Sequence, residues 1–224
     1  MRFAKILLLP MVFLSCTTDD SSSISPITSV IQATETTSDL KETTAPTSTT
    51  IVEPSSTAAL VNALFDFSDS ESLVGWSTQN DTVMGGVSRS TATWDSGQLV
   101  FAGDLSLDNN GGFTSLVSPI NMSIGTALSD GQAIVVTAVG DGKTYLLQLR
   151  LANNTRFIQR FTTQPNELGT YVLPLNEFEA VDWRLSVIPN AEPMDVSKIG
   201  QISIYLLDKQ TGTFRLAISS ITFE

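Results

Sequence analysis

The sequence predicts an all-β domain, a sandwich or barrel of short strands, over residues 60–224. Short segments rich in β-branched and aromatic residues recur there, and Gly, Asn and Asp separate them, as in other all-β proteins. No stretch of a dozen residues carries the apolar stripe of an amphipathic helix. A chain of this size buries about 70 % of the surface that its unfolded form exposes, which is enough for one core.

The expected strands follow one another at intervals set by turn residues. They lie at residues 64–67, 90–94, 99–101, 113–117, 133–139, 145–150, 156–161, 171–173, 202–207 and 214–223. The sequence Asp95-Ser96-Gly97 predicts a hairpin turn, and the continuous apolar run at 133–139 is typical of a strand buried on both faces. Short helical turns are expected near 176–178 and 196–199. Pairing of the last strand with the first would close a jelly roll.

The first sixteen residues have the form of a secretory signal peptide. Arg2 and Lys5 flank the start of an apolar run, residues 6–14, that is too short to span a bilayer. Cys16 ends this segment, and its context resembles the lipobox of bacterial lipoproteins, in which the cysteine receives diacylglycerol. We expect a lipid anchor at Cys16, on a secreted protein held outside the cytoplasm at the cell membrane or the outer membrane. The alternative is an ordinary cleaved signal.

Residues 17–59 predict a disordered linker between the anchor and the domain. Ser and Thr dominate this stretch, which also contains scattered Pro and acidic residues and no aromatic residue. Such a segment cannot bury enough apolar surface to offset the entropy lost on ordering. A flexible polar tether of this kind holds a folded domain away from the membrane surface.

The composition excludes several classes of function. The chain has no histidine, and its one cysteine is Cys16, so imidazole bases, thiolate nucleophiles and Cys or His metal sites are absent. The formal net charge of −11 disfavours nucleic acid as a partner. Carboxylates are numerous enough that a pair can always be chosen, so no hydrolase site is predicted and we expect no enzyme activity.

A structural calcium ion is the only cofactor that the residues leave open. Its oxygen ligands would come from turn aspartates, which are otherwise ordinary solvated turn residues. These aspartates are Asp104, Asp108, Asp141 and Asp208.

Two loops are too unusual to be ordinary turns. Residues 80–88 read NDTVMGGVS and follow Trp76 closely, and residues 109–113 read NNGGF. Paired glycines permit positive φ or close backbone approach, and Asn and Asp tolerate the left-handed region.

These loops resemble the signature of the complex I intermediate-associated protein family, in which a Trp, D-x-V-M-G-G-x-S and N-N-G-G-F recur in this order. The C-terminal half is similar too, through GDG at 140–142 with Tyr145, LP at 173–174 with Phe178, and DKQ at 208–210 followed by GTFRL at 212–216. Residues 181–185 depart from the family pattern. The resemblance implies a galactose-binding-like jelly roll without catalytic activity. Mitochondrial members assist the assembly of complex I. A secreted lipoprotein would not have complex I as its partner simply because it shares the family.

The two loops are the candidate site for a ligand or partner. One interpretation is loop architecture alone, with glycines shaping turns, Met84 and Phe113 filling the core, and Asp81 and Asn109 capping amides. The other is a polar site at one end of the domain, suited to a protein partner in the cell envelope or to a glycan. Trp94 and Trp183 are either sugar platforms or core residues. The candidate binding residues are Trp76, Asp81, Met84, Gly85, Gly86, Ser88, Asn109, Asn110, Gly111 and Gly112.

Overall fold

The computed structural model describes residues 62–224, and these form a two-sheet antiparallel β-sandwich. The predicted signal peptide at 1–16 with Cys16 and the predicted linker at 17–59 lie outside the described residues. The all-β prediction is confirmed. Every strand pair is antiparallel, as a jelly roll requires.

Twelve strands make up the two sheets. They are β1 (Ala63–Asp66), β2 (Ser77–Asn80), β3 (Arg89–Asp95), β4 (Gln98–Leu105), β5 (Thr114–Val117), β6 (Ala133–Val139), β7 (Thr144–Leu151), β8 (Arg156–Thr162), β9 (Leu168–Pro174), β10 (Glu179–Val181), β11 (Ile199–Leu206) and β12 (Gly212–Phe223). The first sheet has the order β3-β4-β12-β6-β9, with β1 also paired to β12, and the second has the order β10-β8-β7-β11-β5-β2.

Short helical segments connect the strands. One α-helix, α1, spans Ser123–Leu128. Single 3-10 turns lie at Ser70–Leu73, Asp81–Met84, Asp108–Asn110, Leu175–Glu177 and Val196–Lys198. The last two confirm the helical turns expected near 176–178 and 196–199.

Alternation along the strands places one apolar face of each sheet in a shared core. In β7, for example, Tyr145, Leu147 and Leu149 are buried between the sheets, and in β12 Leu216 and Ile218 are buried opposite them. Side-chain direction alternates with a period of two, and in β7 the residues on the other face, Leu146 and Gln148, are buried as well. The predicted closure of the chain is also present, because Phe65 of β1 pairs with Ile221 of β12.

The hairpin prediction at residues 95–97 is confirmed in detail. Asp95 pairs with Gln98, so the loop has two residues, Ser96 and Gly97, with φ of 49° and 83°. Positive φ at both positions is the type I′ geometry, whose twist matches that of the flanking strands.

Three elements were not expected from the sequence. Helix α1 is too short for a stripe to be seen over a dozen residues, although Ile124 and Leu128 do face the core. Strands β2 and β10 are edge strands of four and three residues. The sequence of β2, STQN, has no apolar residue, because its inward side chains make hydrogen bonds instead of apolar contacts.

Candidate functional site

The carboxylate of Asp81 joins the two unusual loops. Asp81 opens a 3-10 turn after β2 and is completely buried. Its Oδ1 accepts a hydrogen bond from the backbone N–H of Ser88 (3.0 Å), and its Oδ2 accepts from the Ser88 hydroxyl (2.5 Å). The second loop donates the backbone N–H groups of Gly112 (2.7 Å) and Phe113 (3.4 Å) to Oδ2. One side chain therefore fixes residues 81–88 against residues 106–113.

Two of the motif glycines are needed because they lie against this carboxylate. A Cβ added to Gly86 would overlap Oδ1 and Cγ of Asp81. A Cβ added to Gly111 would lie 2.7 Å from Oδ2 of Asp81 and equally close to the carbonyl oxygen of Ser106. Glycine is therefore required at both positions because a larger side chain would overlap the Asp81 carboxylate.

The other two glycines serve the backbone. Gly85 ends the 3-10 turn in the left-handed region, at φ 91°, and its N–H caps the carbonyl oxygens of Asp81 and Thr82. Gly112 has φ 135°, a conformation that L-residues rarely adopt.

The hydrogen bonds hold Asp81 in its ionised form. Burial alone would raise the pKa of this carboxyl group, but the hydrogen bonds from Ser88, Gly112 and Phe113 outweigh it and lower the pKa below the ordinary 3.8. A completely buried carboxylate that accepts four hydrogen bonds is a structural anion and is not in contact with solvent.

The loops expose apolar side chains instead of burying them. Val83 is 86 % exposed and Met84 58 % exposed, and Val87 and Leu107 are also exposed. We call these four residues the loop surface. Leu107 packs close to Gly112, whose N–H is bound to Asp81, so both loops contribute to the same end of the domain.

Of the two interpretations of Met84, the one that places it in the core is wrong, because its side chain points to solvent. Its assignment as a candidate binding residue stays a prediction. Asn109 and Asn110 are exposed as well, with left-handed φ of 55° and 63°, and they lie in the 3-10 turn Asp108–Asn110. Asparagine tolerates this region better than other non-glycine residues, which accounts for the Asn-Asn pair.

Trp76 lies in the core and not on the surface. It is buried and packs edge-on against Phe65 (ring centroids 4.9 Å apart) and Phe67 (5.5 Å). It has no exposed face for a sugar. Of the other two tryptophans, Trp94 donates its indole N–H to the carbonyl oxygen of Phe67, and Trp183 is largely exposed beneath the guanidinium of Arg184.

A second polar cluster near the site was not predicted. Between the sheets, Asn80 Oδ1 accepts hydrogen bonds from the hydroxyls of Thr114 (2.6 Å) and Ser90 (2.7 Å). These residues come from β2, β5 and β3, so the cluster links edge strands of both sheets next to Asp81. The only sequence signal was the position of small hydroxyl residues at inward places in these strands.

The remaining motifs have structural roles. Asp141 accepts hydrogen bonds from the Tyr145 hydroxyl (3.2 Å) and the Arg215 backbone N–H (2.9 Å). Burial first, and then the Asp141 carboxylate, raise the pKa of Tyr145 far above its usual range. The side chain of Gln210 accepts a hydrogen bond from the Thr144 N–H at Oε1 (2.9 Å). Its Nε2 donates a hydrogen bond to the Thr144 carbonyl oxygen (2.7 Å). The GDG motif at 140–142 and the DKQ motif at 208–210 therefore stabilise the turns beside β7 and β12 through hydrogen bonds.

The described residues, 62–224, provide no set of ligands for the calcium ion that the sequence left open. No group of three or more acidic, His or Cys side chains that could hold a metal occurs there. Asp141 is engaged as described, and Asp208 pairs with Arg160 (2.8 Å). The four turn aspartates are not gathered at one place.

Another surface lies at the opposite edge of the sandwich. An open groove of about 1000 Å³ runs between the ends of β9 and β10 and the 187–196 segment. Its lining is mainly apolar, with Glu179 and Glu192 among its acidic residues, and none of the predicted site residues borders it.

Comparison with solved structures identifies the fold. The fold is similar to the family 11 carbohydrate-binding module of Clostridium thermocellum, solved with a β-1,3-1,4-mixed-linked tetrasaccharide, at a TM-score of 0.51 and 14 % identity over 72 % of this chain and 94 % of the module. It is also similar to part of an exo-β-agarase (TM-score 0.52, 13 % identity, 73 % of this chain and 25 % of the agarase) and of the agarase AgWH50C (0.51, 13 %, 72 % and 24 %). The predicted galactose-binding-like jelly roll is confirmed, and fold and family together indicate a binding module.

The chain belongs to the complex I intermediate-associated protein 30 (CIA30) family, whose model matches residues 65–218. The resemblance read from the motifs is thereby confirmed. No curated protein sequence matches the chain significantly. Within residues 62–224 no helix is long and apolar enough to cross a membrane.

Proposed function

We propose that this protein is a non-catalytic binding module, tethered outside the cytoplasm by a lipid on Cys16, that docks a protein partner of the cell envelope through its loop surface. The observation that supports the proposal is that the inner side of the loops is held by a buried polar group while the outer side exposes apolar side chains. A completely buried carboxylate holds both loops, and Val83 and Met84 stand out into solvent above it.

Rigid presentation of apolar side chains is what a recognition surface needs. Exposed Val and Met side chains lose contact with water when a partner covers them, which favours association. Methionine adapts its shape to irregular surfaces, and a loop fixed in advance loses little entropy on binding. The partner that fits is therefore a protein with an apolar patch, and the assembly-factor role known for the family is consistent with this.

Substitution of the exposed residues tests the docking surface. We expect Val83→Asp with Met84→Asp to abolish co-purification of envelope proteins after mild crosslinking, because a charge placed at the apolar contact would have to be desolvated. Both side chains are exposed, so the free energy of unfolding should change by less than about 0.5 kcal/mol per site.

The matched control is Thr91→Asp with Thr93→Asp, at exposed positions on β3 of the first sheet. It adds the same charge and should leave the recovered proteins unchanged. If the Val83 and Met84 variant recovered the same envelope proteins as the wild type, this surface would be excluded as the docking site.

The tether is tested separately. Cys16→Ser removes the acceptor for the lipid, and we expect the protein to move from the membrane fraction to the soluble fraction, since the anchor is the only proposed membrane attachment. Membrane partition is measured by fractionation and immunoblotting. A Ser15→Ala variant, which keeps the cysteine, serves as the control and should remain in the membrane fraction. If Cys16→Ser stays there as well, the lipid anchor is refuted.

A second candidate function is glycan binding, and a different surface favours it. The outer face of the second sheet carries amide, hydroxyl and guanidinium groups near Tyr205, beside an apolar cluster of Leu146, Ile158 and Val181. Polar groups of this kind next to apolar and aromatic side chains are typical of ligand sites. The carbohydrate-binding modules that share the fold make this candidate consistent with the architecture.

A further inference from the structure

The outer face of the second sheet has a regular order of side chains that the strand register makes clear. In β7, Leu147 and Leu149 point to the core, so Leu146, Gln148 and Arg150 point outward. Pairing then sets three rows across the sheet. The rows are Val181, Arg156, Arg150 and Gln201; Glu179, Ile158, Gln148, Ser203 and Val117; and Arg160, Leu146, Tyr205, Ser115 and Gln79.

Two arginines face each other at one end of these rows. Arg150 and Arg156 are direct cross-strand partners in β7 and β8. Like charges placed opposite one another destabilise an antiparallel pair. Neither arginine forms an ion pair with a residue in the described part of the chain, whereas Arg160 in the third row is neutralised by Asp208. In a chain with a net charge of −11, this is a local positive site.

Neutral groups hold Arg150 in place without neutralising it. Its guanidinium donates to the side-chain oxygens of Asn154 (3.0 Å) and Gln201 (3.2 Å). A mainly apolar cavity of about 170 Å³ adjoins Arg150 on its Gln201 and Met122 side, and Arg156 does not border it. The positive charge of Arg150 is therefore held in position by neutral groups.

The middle of the face holds an amide group with no partner. Gln148 is only 3 % exposed, and its Nε2 forms no hydrogen bond with the described residues. It lies next to Arg150 along β7 and opposite Ser203. A buried donor without an acceptor is costly, and an oxygen-rich ligand would satisfy it.

Tyr205 completes this group. Burial raises the pKa of its phenol, while a hydrogen bond with Ser115 and then the nearby guanidiniums of Arg156 and Arg150 act in the opposite direction. The Tyr205 side chain therefore remains a neutral hydroxyl and aromatic ring beside two cations at physiological pH.

We propose that this face binds an acidic glycan, with a carboxylate or sulfate group of the sugar held between Arg150 and Arg156. The proposal rests on the glycan-binding candidate named above and gives it a ligand class. Adjacent strands lie about 4.8 Å apart, so the row from Arg156 to Gln201 spans about 10 Å and presents guanidinium and amide donors along its length. Planar guanidiniums bind carboxylate and sulfate oxygens in pairs, and amide and hydroxyl groups bind the sugar hydroxyls.

A mixed surface of this kind fits a charged sugar better than a simple anion. Gln148 and Ser203, both nearly buried at this face, and the half-buried Tyr205 add neutral hydrogen-bonding groups and a ring next to the cations, and a free sulfate ion would use only the arginines.

Calorimetric titration of the full-length chain tests the proposal. The probes are tetragalacturonate, its fully methyl-esterified form, a sulfated tetrasaccharide and inorganic sulfate. We expect one or both acidic saccharides to bind at least tenfold more tightly than the ester and than sulfate. Arg150→Gln and Arg156→Gln should each weaken that binding at least tenfold.

Arg89→Gln is the matched control, because it removes the same charge from an exposed position on β3 in the first sheet. It should leave the affinity within twofold. Circular dichroism confirms that each variant is folded. Equal loss with Arg89→Gln, or equal affinity for the acid and its ester, would overturn the proposal.

The outcomes separate this proposal from the function on which it rests. Binding of neutral but not acidic saccharides, lost with Tyr205→Ala, would refute the acidic ligand and keep the glycan-binding function. Failure of every saccharide to bind would remove both, and binding of inorganic sulfate as tightly as of the saccharides would refute the sugar component. None of these results affects docking through the loop surface.

Discussion

Asp81→Asn is expected to lower the free energy of unfolding by about 3 kcal/mol, because a buried anion with four donors is replaced by a group that can satisfy only some of them. The new amide has one acceptor oxygen, and its NH₂ would face the N–H of Ser88 or Gly112 as donor against donor. Urea unfolding at pH 7, followed by circular dichroism, measures the change.

The matched control is Asp104→Asn, which removes the same charge from an exposed position in β4. A surface substitution of this kind should change the free energy of unfolding by less than about 0.5 kcal/mol. A loss at Asp81 no larger than the loss at Asp104 would show that the carboxylate does not hold the loops together.

The same variant has a pH dependence whose sign follows from the lowered pKa of Asp81. A carboxyl group with a lower pKa in the folded state stabilises the protein above its unfolded pKa, here 3.8, and loses that contribution as pH falls through the folded value. The difference in stability between the wild type and Asp81→Asn should therefore be constant near neutrality and shrink as pH falls below about 3.8. A difference that grows on acidification would contradict the assignment.

Gly86→Ala is expected to have the second large effect, a loss of about 3 kcal/mol, because the added methyl group would occupy the position of the Asp81 carboxylate. Either the carboxylate moves and its hydrogen bonds break, or the loop backbone shifts. Unfolding in urea gives the size of the loss, and an increase in protease cleavage within residues 81–88 would locate it.

Gly97→Ala provides the comparison. Gly97 has φ 83°, but no atom lies within 4 Å of the position of an added Cβ. Backbone conformation alone should cost about 1 kcal/mol there. If Gly97→Ala proves as destabilising as Gly86→Ala, then backbone conformation and not contact with Asp81 explains the paired glycines.

The strands and their closure were predictable from the sequence because β-favouring segments are separated by turn residues along it. Residues 133–139 were expected as a strand, and β6 has those bounds; the hairpin at 95–97 followed from the preference of a tight turn for positive φ. Strand β2 was not predictable from periodicity, since Thr78 and Asn80 occupy inward positions through hydrogen bonds and the pattern counts only apolar residues.

The candidate site was predictable in its residues and not in their orientation. The motif located Asp81, Ser88 and the paired glycines, but periodicity cannot say which side of an irregular loop faces the core. One interpretation placed Met84 in the core, where it is not, and the other placed Trp76 beside a ligand, whereas Trp76 packs against Phe65 and Phe67. Contacts between loops far apart in the chain, such as Gly112 with Asp81, depend on tertiary structure.

The loop surface could be located from the sequence, whereas the arginine pair of the second sheet could not. Val83 and Met84 lie within the motif that was singled out. The arginine pair of the second sheet depends on the register of β7 against β8, which places Arg150 opposite Arg156. A shift of one residue would have put one of them in the core, and only the structure fixes that register.

Site-specific photocrosslinking in the native envelope is the most direct test of the proposed docking surface. A photoreactive residue placed at position 83, in the full-length chain, should give a discrete adduct with one or a few envelope proteins, and the same residue at position 91, on the first sheet, should give none. The adduct should disappear in the Met84→Asp background, because the apolar contact is then interrupted. Identical adducts from positions 83 and 91, or none from position 83 while the protein remains folded and anchored, would contradict docking through the loop surface.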